Sequence, residues 1–315
     1  MRKHTPHGLG WQPDLPDVRD YTAETPAVKA VLAKSRGLQA PTSSLPKAID
    51  LSPSCSPIED QGNLGSCTAQ AGVGLFEYYQ RRAYGRHIDG SRLFLYKATR
   101  NLLGFTGDTG AYLRSTMGGM RLFGVPPESY WPYQIQRFDD EPPAFCYAFG
   151  ASFQAVKYYR LDPYGSTQQE VLDNVKRWLA AGLPSMFGFT VYNSIWDAEN
   201  GHIPFPGPGD YVDGGHAIVA VGYDDERKIG NSPKGALKIR NSWGTGWGQK
   251  GYGWMPYEYV LAGLADDFWS LVNAEFVDTE LFKAQPRWAS GGEEVLHVPA
   301  VPHVQVPAKG VRQKT

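Results

Sequence analysis

Two segments far apart in the chain have to meet. QGNLGSCTA, from Gln61 to Ala69, puts Cys67 at the start of a helical run in which Ala71, Leu75, Phe76 and Tyr79 recur at helical spacing until Tyr84-Gly85. Far downstream, GGHAIVAVGYDD opens an apolar strand with His216, and LKIRNSWGTGWGQKGYG carries Asn241. A thiol in the first turn of a helix meets unpaired backbone N–H groups and the positive end of the helix dipole, so a lowered pKa is expected for Cys67. The thiol also needs a proton partner. An Asn241 carbonyl accepting from His216 Nδ1–H would leave Nε2 facing the sulfur, the logic of a nucleophile, base and orienter. Gln61 offers a side-chain NH2 that, with the Cys67 backbone N–H, would hold the oxygen of a tetrahedral intermediate. Trp243 is placed to roof the His216–Asn241 bond.

Singly, each of these residues has a plainer reading. A cysteine at a helix start is more often a buried apolar residue, a strand histidine a satisfied core group and an asparagine a turn residue. Their occurrence together reverses that weighting.

The rest of the chain reads as helices followed by strands. SRLFLYKATRNLLG has Ser91 as N-cap and Gly104 as stop, and AYLRSTMGGMRLFG ends at Gly124 and Pro126. Strands follow in FQAVKYYRL, PSMFGFTVY, HAIVAVGY, ALKIRNSW, YGWMPY and FWSLVN. Between the first two of these lies one helix, which Thr167 and Glu170 open as a capping box. The expected fold is α+β with two lobes: a helical lobe over about 45–143, an antiparallel β-barrel lobe over about 144–280, and a cleft between them.

The motifs Q-G-x-x-G-S-C, G-H-A with V-G-Y, and N-S-W-G-x-x-W-G, in this order, closely resemble those of the papain family of cysteine peptidases. The resemblance spans roughly Leu45 to Asn273, and among papain relatives the chain is most similar to bacterial forms with a short leader. It implies Cys67 as nucleophile, His216 as general base and then acid, Asn241 as orienter and Gln61 in the oxyanion hole. It also implies that extended peptides pair with the edge at Gly110 and Ala111. Gly214, Gly215 and Ala217 would then line part of the pocket for the residue two before the scissile bond, with Gly188 and Asp267 to Trp269 loosely at its far wall. Peptide or protein substrates follow, with no cofactor and no metal. An endopeptidase is the leading expectation; the alternatives are an exopeptidase with one end of the cleft blocked, for instance by the Ile203 to Asp210 loop, and an inactive binding or inhibitory module.

The chain departs from the family pattern at several points. Leu64 stands where many relatives carry a disulfide cysteine, Thr68 where a tryptophan usually follows the nucleophile, and a polar insertion falls around Asp224 to Gly235. Residues 1–44 form a leader shorter than the family's usual helical inhibitory domain, with a helix expected around Ala27 to Lys34. This leader either straps the cleft as extended chain or packs on the enzyme's back, where Trp11 and Tyr21 would anchor it. Residues 281–315 read as a mobile tail.

Composition excludes other classes. A hydrophobic share of 42% in 315 residues supports folded cores, and a net charge of −1 without basic clusters leaves no footprint for nucleic acid. No apolar stretch is long enough to span a bilayer. The N-terminus lacks the apolar region of a signal peptide, so the expectation is a cytoplasmic protein or one exported by an unconventional route. Oligomeric state is left open, with a monomer as the default. Cys55 and Cys146 are expected as two buried thiols rather than as a bridge.

Overall fold

The computed structural model describes residues 7–34, 45–151, 157–272, 276 and 279. The tail expected over 281–315 lies outside the described residues.

The first half is helical. α2 (Cys67–Tyr84) is buried along nearly its whole length and ends where Gly85 turns into the left-handed region at φ 69°. α3 (Arg92–Leu103) starts where Ser91 accepts from the Phe94 N–H and stops at Gly104, and α4 (Leu113–Phe123) stops at Gly124. α5 (Ala144–Gly150), which sequence periodicity did not reveal, packs on α4. Upstream, α1 (Pro26–Lys34) lies beside the sheet of the second lobe, with Val28 fully buried.

The second half is one antiparallel sheet. Its strands are β2 (Lys157–Arg160), β3 (Ser185–Tyr192), β4 (Val212–Asp224), β5 (Ala236–Arg240), β6 (Tyr252–Pro256) and β7 (Ala265–Val272), in the spatial order β2-β7-β3-β4-β5-β6. β1 (Ala48–Asp50), from the part expected to be helical, adds itself to β4. The expected antiparallel barrel lobe is thus an open sheet rather than a closed one. β2 and β6 are the two ends of an open sheet and do not pair with each other. α6 (Gln168–Ala180) carries the expected box, Thr167 and Glu170 capping each other's backbone N–H, and packs on β4.

The core joins the lobes, with α2 packed against β4 as well as α3 and α4. This contact brings the N-terminus of α2 to the strand that carries His216. Cys55 and Cys146 are both free and buried. Among the described residues no helix is long and apolar enough to cross a membrane.

Candidate active site

Cys67 is the first residue of α2 and has no exposed surface. The Ser66 hydroxyl before it does not cap the helix; it shares a 2.6 Å hydrogen bond with the Tyr133 hydroxyl, so the N-terminal amides of α2 remain free to act on the sulfur. Burial pushes the thiol up to about 11, and the nearby backbone amides of Ala217, Gly10, Thr68 and Cys67 itself, which favour the thiolate, offset this only in part. The lowered pKa expected from the helix start is thus corrected for this closed state. The expectation of a lowered pKa was drawn from the helix start alone, apart from the strap across the cleft that was one of the two places expected for the leader.

His216 lies on β4, wholly buried. Its Nε2 is 2.8 Å from Asn241 Oδ1, and its Nδ1 has no hydrogen-bond partner among the described residues. The ring is therefore turned the other way from the expected arrangement. Asn241 engages Nε2, and Nδ1 is the nitrogen left for proton exchange. Asn241 follows β5, and its Oδ1 also accepts the Ser242 N–H at 2.8 Å, which fixes the amide. Trp243 stacks on the imidazole with centroids 4.6 Å apart and planes at 24°. Burial lowers the imidazole to about 4; the bond to Asn241 opposes this and neighbouring His7 adds to it. Imidazole and thiol are both neutral at pH 7 as the chain stands.

The leader accounts for the burial. Residues 7–12 run through the cleft as extended chain. Gly8 N–H donates to Gly62 O, Trp11 N–H to Gly215 O and Gln12 N–H to Ala111 O, while Ala111 N–H donates to Gly10 O, at 2.8–3.1 Å. Trp11 and Ala111 form a parallel bridge. Gln61 gives its side-chain NH2 to Gly8 O and to Leu64 O, each at 2.9 Å, and receives the Ser242 hydroxyl on Oε1 at 2.6 Å. His7 stacks on Trp243 at 4.9 Å. Of the two residues named as anchors for a leader on the enzyme's back, Trp11 sits in the cleft and Tyr21 accepts the Arg160 N–H at 2.7 Å.

The expected substrate edge meets this segment directly. Gly110 has φ 71°, and a Cβ there would lie 2.1 Å from Gly10 O. One on Gly215 would lie 2.4 Å from Trp11 O, and one on Gly214 3.0 Å from the Leu9 side chain. Beyond the cleft, Arg114 holds both Asp14 and Asp20 of the leader and the carbonyl of Leu15, and Arg160 reaches the carbonyl of Asp14 at 3.2 Å.

Sequence reasoning did not single out Asp108. Its carboxylate accepts the Gly65 N–H at 3.0 and 3.1 Å and the Tyr96 hydroxyl at 2.6 Å; that hydroxyl in turn accepts the Gly110 N–H at 3.0 Å. The Cys67 loop and the Gly110 edge are tied through one carboxylate. The signal available in the sequence was an acid inside the GDTG turn.

A helix that presents a thiol against an imidazole and amide pair from an antiparallel sheet, across a cleft with an extended peptide in it, defines a two-lobed cysteine-type peptidase. The chain belongs to the papain family: the model of the papain family cysteine proteases matches residues 45–268. It is similar to xylellain, a cysteine protease from Xylella fastidiosa, at 34% identity and a TM-score of 0.68, over 86% of this chain and 98% of that one. An uncharacterized peptidase C1-like protein of Acanthamoeba polyphaga mimivirus is 35% identical over 217 residues, 67% of this chain and 68% of that protein. Cathepsin K of Gallus gallus is 30% identical over 62% of this chain, which spans 54% of its length.

Proposed function

We propose that this cysteine peptidase is an endopeptidase in which Cys67, His216, Asn241 and Gln61 carry the chemistry, and that residues 7–12 hold it latent. His216 Nδ1 takes the thiol proton, Cys67 attacks the scissile carbonyl, and the same nitrogen protonates the leaving amine, leaving a thioester that water hydrolyses. Asn241 keeps the imidazole in register through Nε2. The Gln61 NH2 and the Cys67 backbone N–H stabilise the oxyanion. The observation that carries this reading is the Gln61 NH2 on a peptide carbonyl, that of Gly8, beside a thiol whose neighbours include the Ala217 amide next to His216.

On the expected substrate edge the Gly10 carbonyl of the leader accepts the Ala111 N–H at 2.8 Å. Hydrolysis of a mixed peptide library by the wild-type chain and its Cys67→Ala variant tests the proposal. Cleavage confined to the wild type supports it, and equal cleavage by both rejects it.

A further inference from the structure

The leader's tryptophan marks what the cleft accepts. Trp11 is 7% exposed, and its indole fills a pocket opened by two glycines: a Cβ on Gly188 would lie 1.8 Å from its Cε2 and one on Gly215 2.8 Å from its Cε3. At the pocket's end the indole Nε1 donates to Oδ2 of Asp267 at 3.1 Å. That carboxylate is held in place by the fold. Asp267 is wholly buried at φ 60°, a conformation few side chains other than Asn and Asp adopt readily, and Asp162 holds it there by accepting the N–H groups of Asp267 and Phe268 at 2.8 and 2.9 Å. Oδ1 is already engaged, by the Trp269 indole at 2.7 Å and by Arg160 at 3.1 Å. Oδ2 faces the leader, and among the described residues its donor is Trp11.

When the leader leaves, Oδ2 becomes an unfilled acceptor inside an aromatic-sized slot. An apolar side chain would bury it without a partner, whereas an indole restores the bond, and a site built around a hydrogen bond rejects the analogue that lacks it. A cationic side chain would meet a carboxylate that already has a cation, Arg160, which Asp267 shares with Asp162. Arg160 lies on Oδ1, and Arg114, which loses Asp14 and Asp20 with the leader, has its guanidinium 5.8 Å from the Trp269 ring. We propose that this pocket selects a tryptophan side chain in protein substrates, with Asp267 reading the indole N–H; the assignment rests on the reading of the cleft as that of a peptidase.

The test compares peptides that differ only at the residue two before the scissile bond: tryptophan, benzothienylalanine, in which sulfur replaces the N–H, phenylalanine and arginine. Ratios of kcat/KM measured on the full chain are independent of how much of it is open. Tryptophan is expected to exceed benzothienylalanine and arginine by at least about tenfold. Asp267→Asn tolerates the same backbone conformation; the Trp269 and Arg160 donors hold its one amide oxygen, the NH2 then faces the pocket, and tryptophan and benzothienylalanine should come within about twofold of each other. A second readout needs no catalysis. Trp11→Phe should speed alkylation of Cys67 by about tenfold in the wild-type background and by less than about twofold in Asp267→Asn. Equal cleavage of the tryptophan and benzothienylalanine peptides, or a preference for arginine, overturns the proposal. If no peptide is cleaved but the coupling between Trp11 and Asp267 is found, the pocket assignment stands and the peptidase reading falls; absence of that coupling overturns the pocket.

Discussion

Replacing Cys67 by alanine removes a wholly buried sulfur and little volume, so the fold should survive while peptide hydrolysis falls below a few per cent of wild-type kcat/KM. His216→Ala should do nearly the same. Asn241→Ala is expected to be milder, because it frees the ring without removing it. Gln61→Ala should lower kcat by roughly 10 to 1000-fold, and a change confined to KM would remove Gln61 from the oxyanion role. These residue types and their order were legible in the sequence because the chemistry needs them in fixed local settings. The ring orientation of His216 was not, since either nitrogen satisfies an asparagine carbonyl and only backbone geometry chooses Nε2. Asp267 was legible only as an approximate wall, because its role depends on Asp162 and Arg160, which are distant in sequence.

Among the elements, the helix ends were the most readable, since caps are local chemistry. Thr167→Ala breaks a capping box on the exposed start of α6, far along the chain from the site residues, and should cost about 1 kcal/mol in thermal or denaturant unfolding. Its kcat/KM, corrected for folded fraction, should not change. Asp108→Ala should behave differently. It strands the Gly65 N–H and the buried Tyr96 hydroxyl, costs about 1–3 kcal/mol, and loosens the nucleophile loop, so unfolding and kcat should both respond. An Asp108→Ala enzyme with wild-type kcat would limit that carboxylate to stability. The sheet was legible strand by strand from its apolar runs, whereas its closure was not, because closure depends on which edges meet. Similarly, β1 was hidden in a three-residue segment too short to show a period.

For the whole molecule, the protonation state of the site follows from its burial. With residues 7–12 in the cleft the thiol sits at about 11 and the imidazole at about 4, so neither group is charged at pH 7. Alkylation of the full-length chain should climb with pH toward the thiol's raised value, since only the thiolate reacts. Once the leader is gone, solvent and the helix-end amides favour the ion pair, and kcat/KM should trace a bell whose limbs belong to the coupled pair. Sequence composition suggested extended chain for the leader and left two destinations open, the cleft and the enzyme's back, because the contacts of Gly8, Gly10 and Trp11 that decide between them are all long-range. The most direct measurement is therefore the rate at which an epoxide-type thiol reagent modifies the chain at pH 7, full-length against cut before Leu45, with the modified residue mapped by mass. Faster modification of the cut chain, confined to Cys67 and matched one to one by loss of hydrolysis, is the predicted result; equal rates at matched folded fraction, or hydrolysis that survives modification of Cys67, would contradict it.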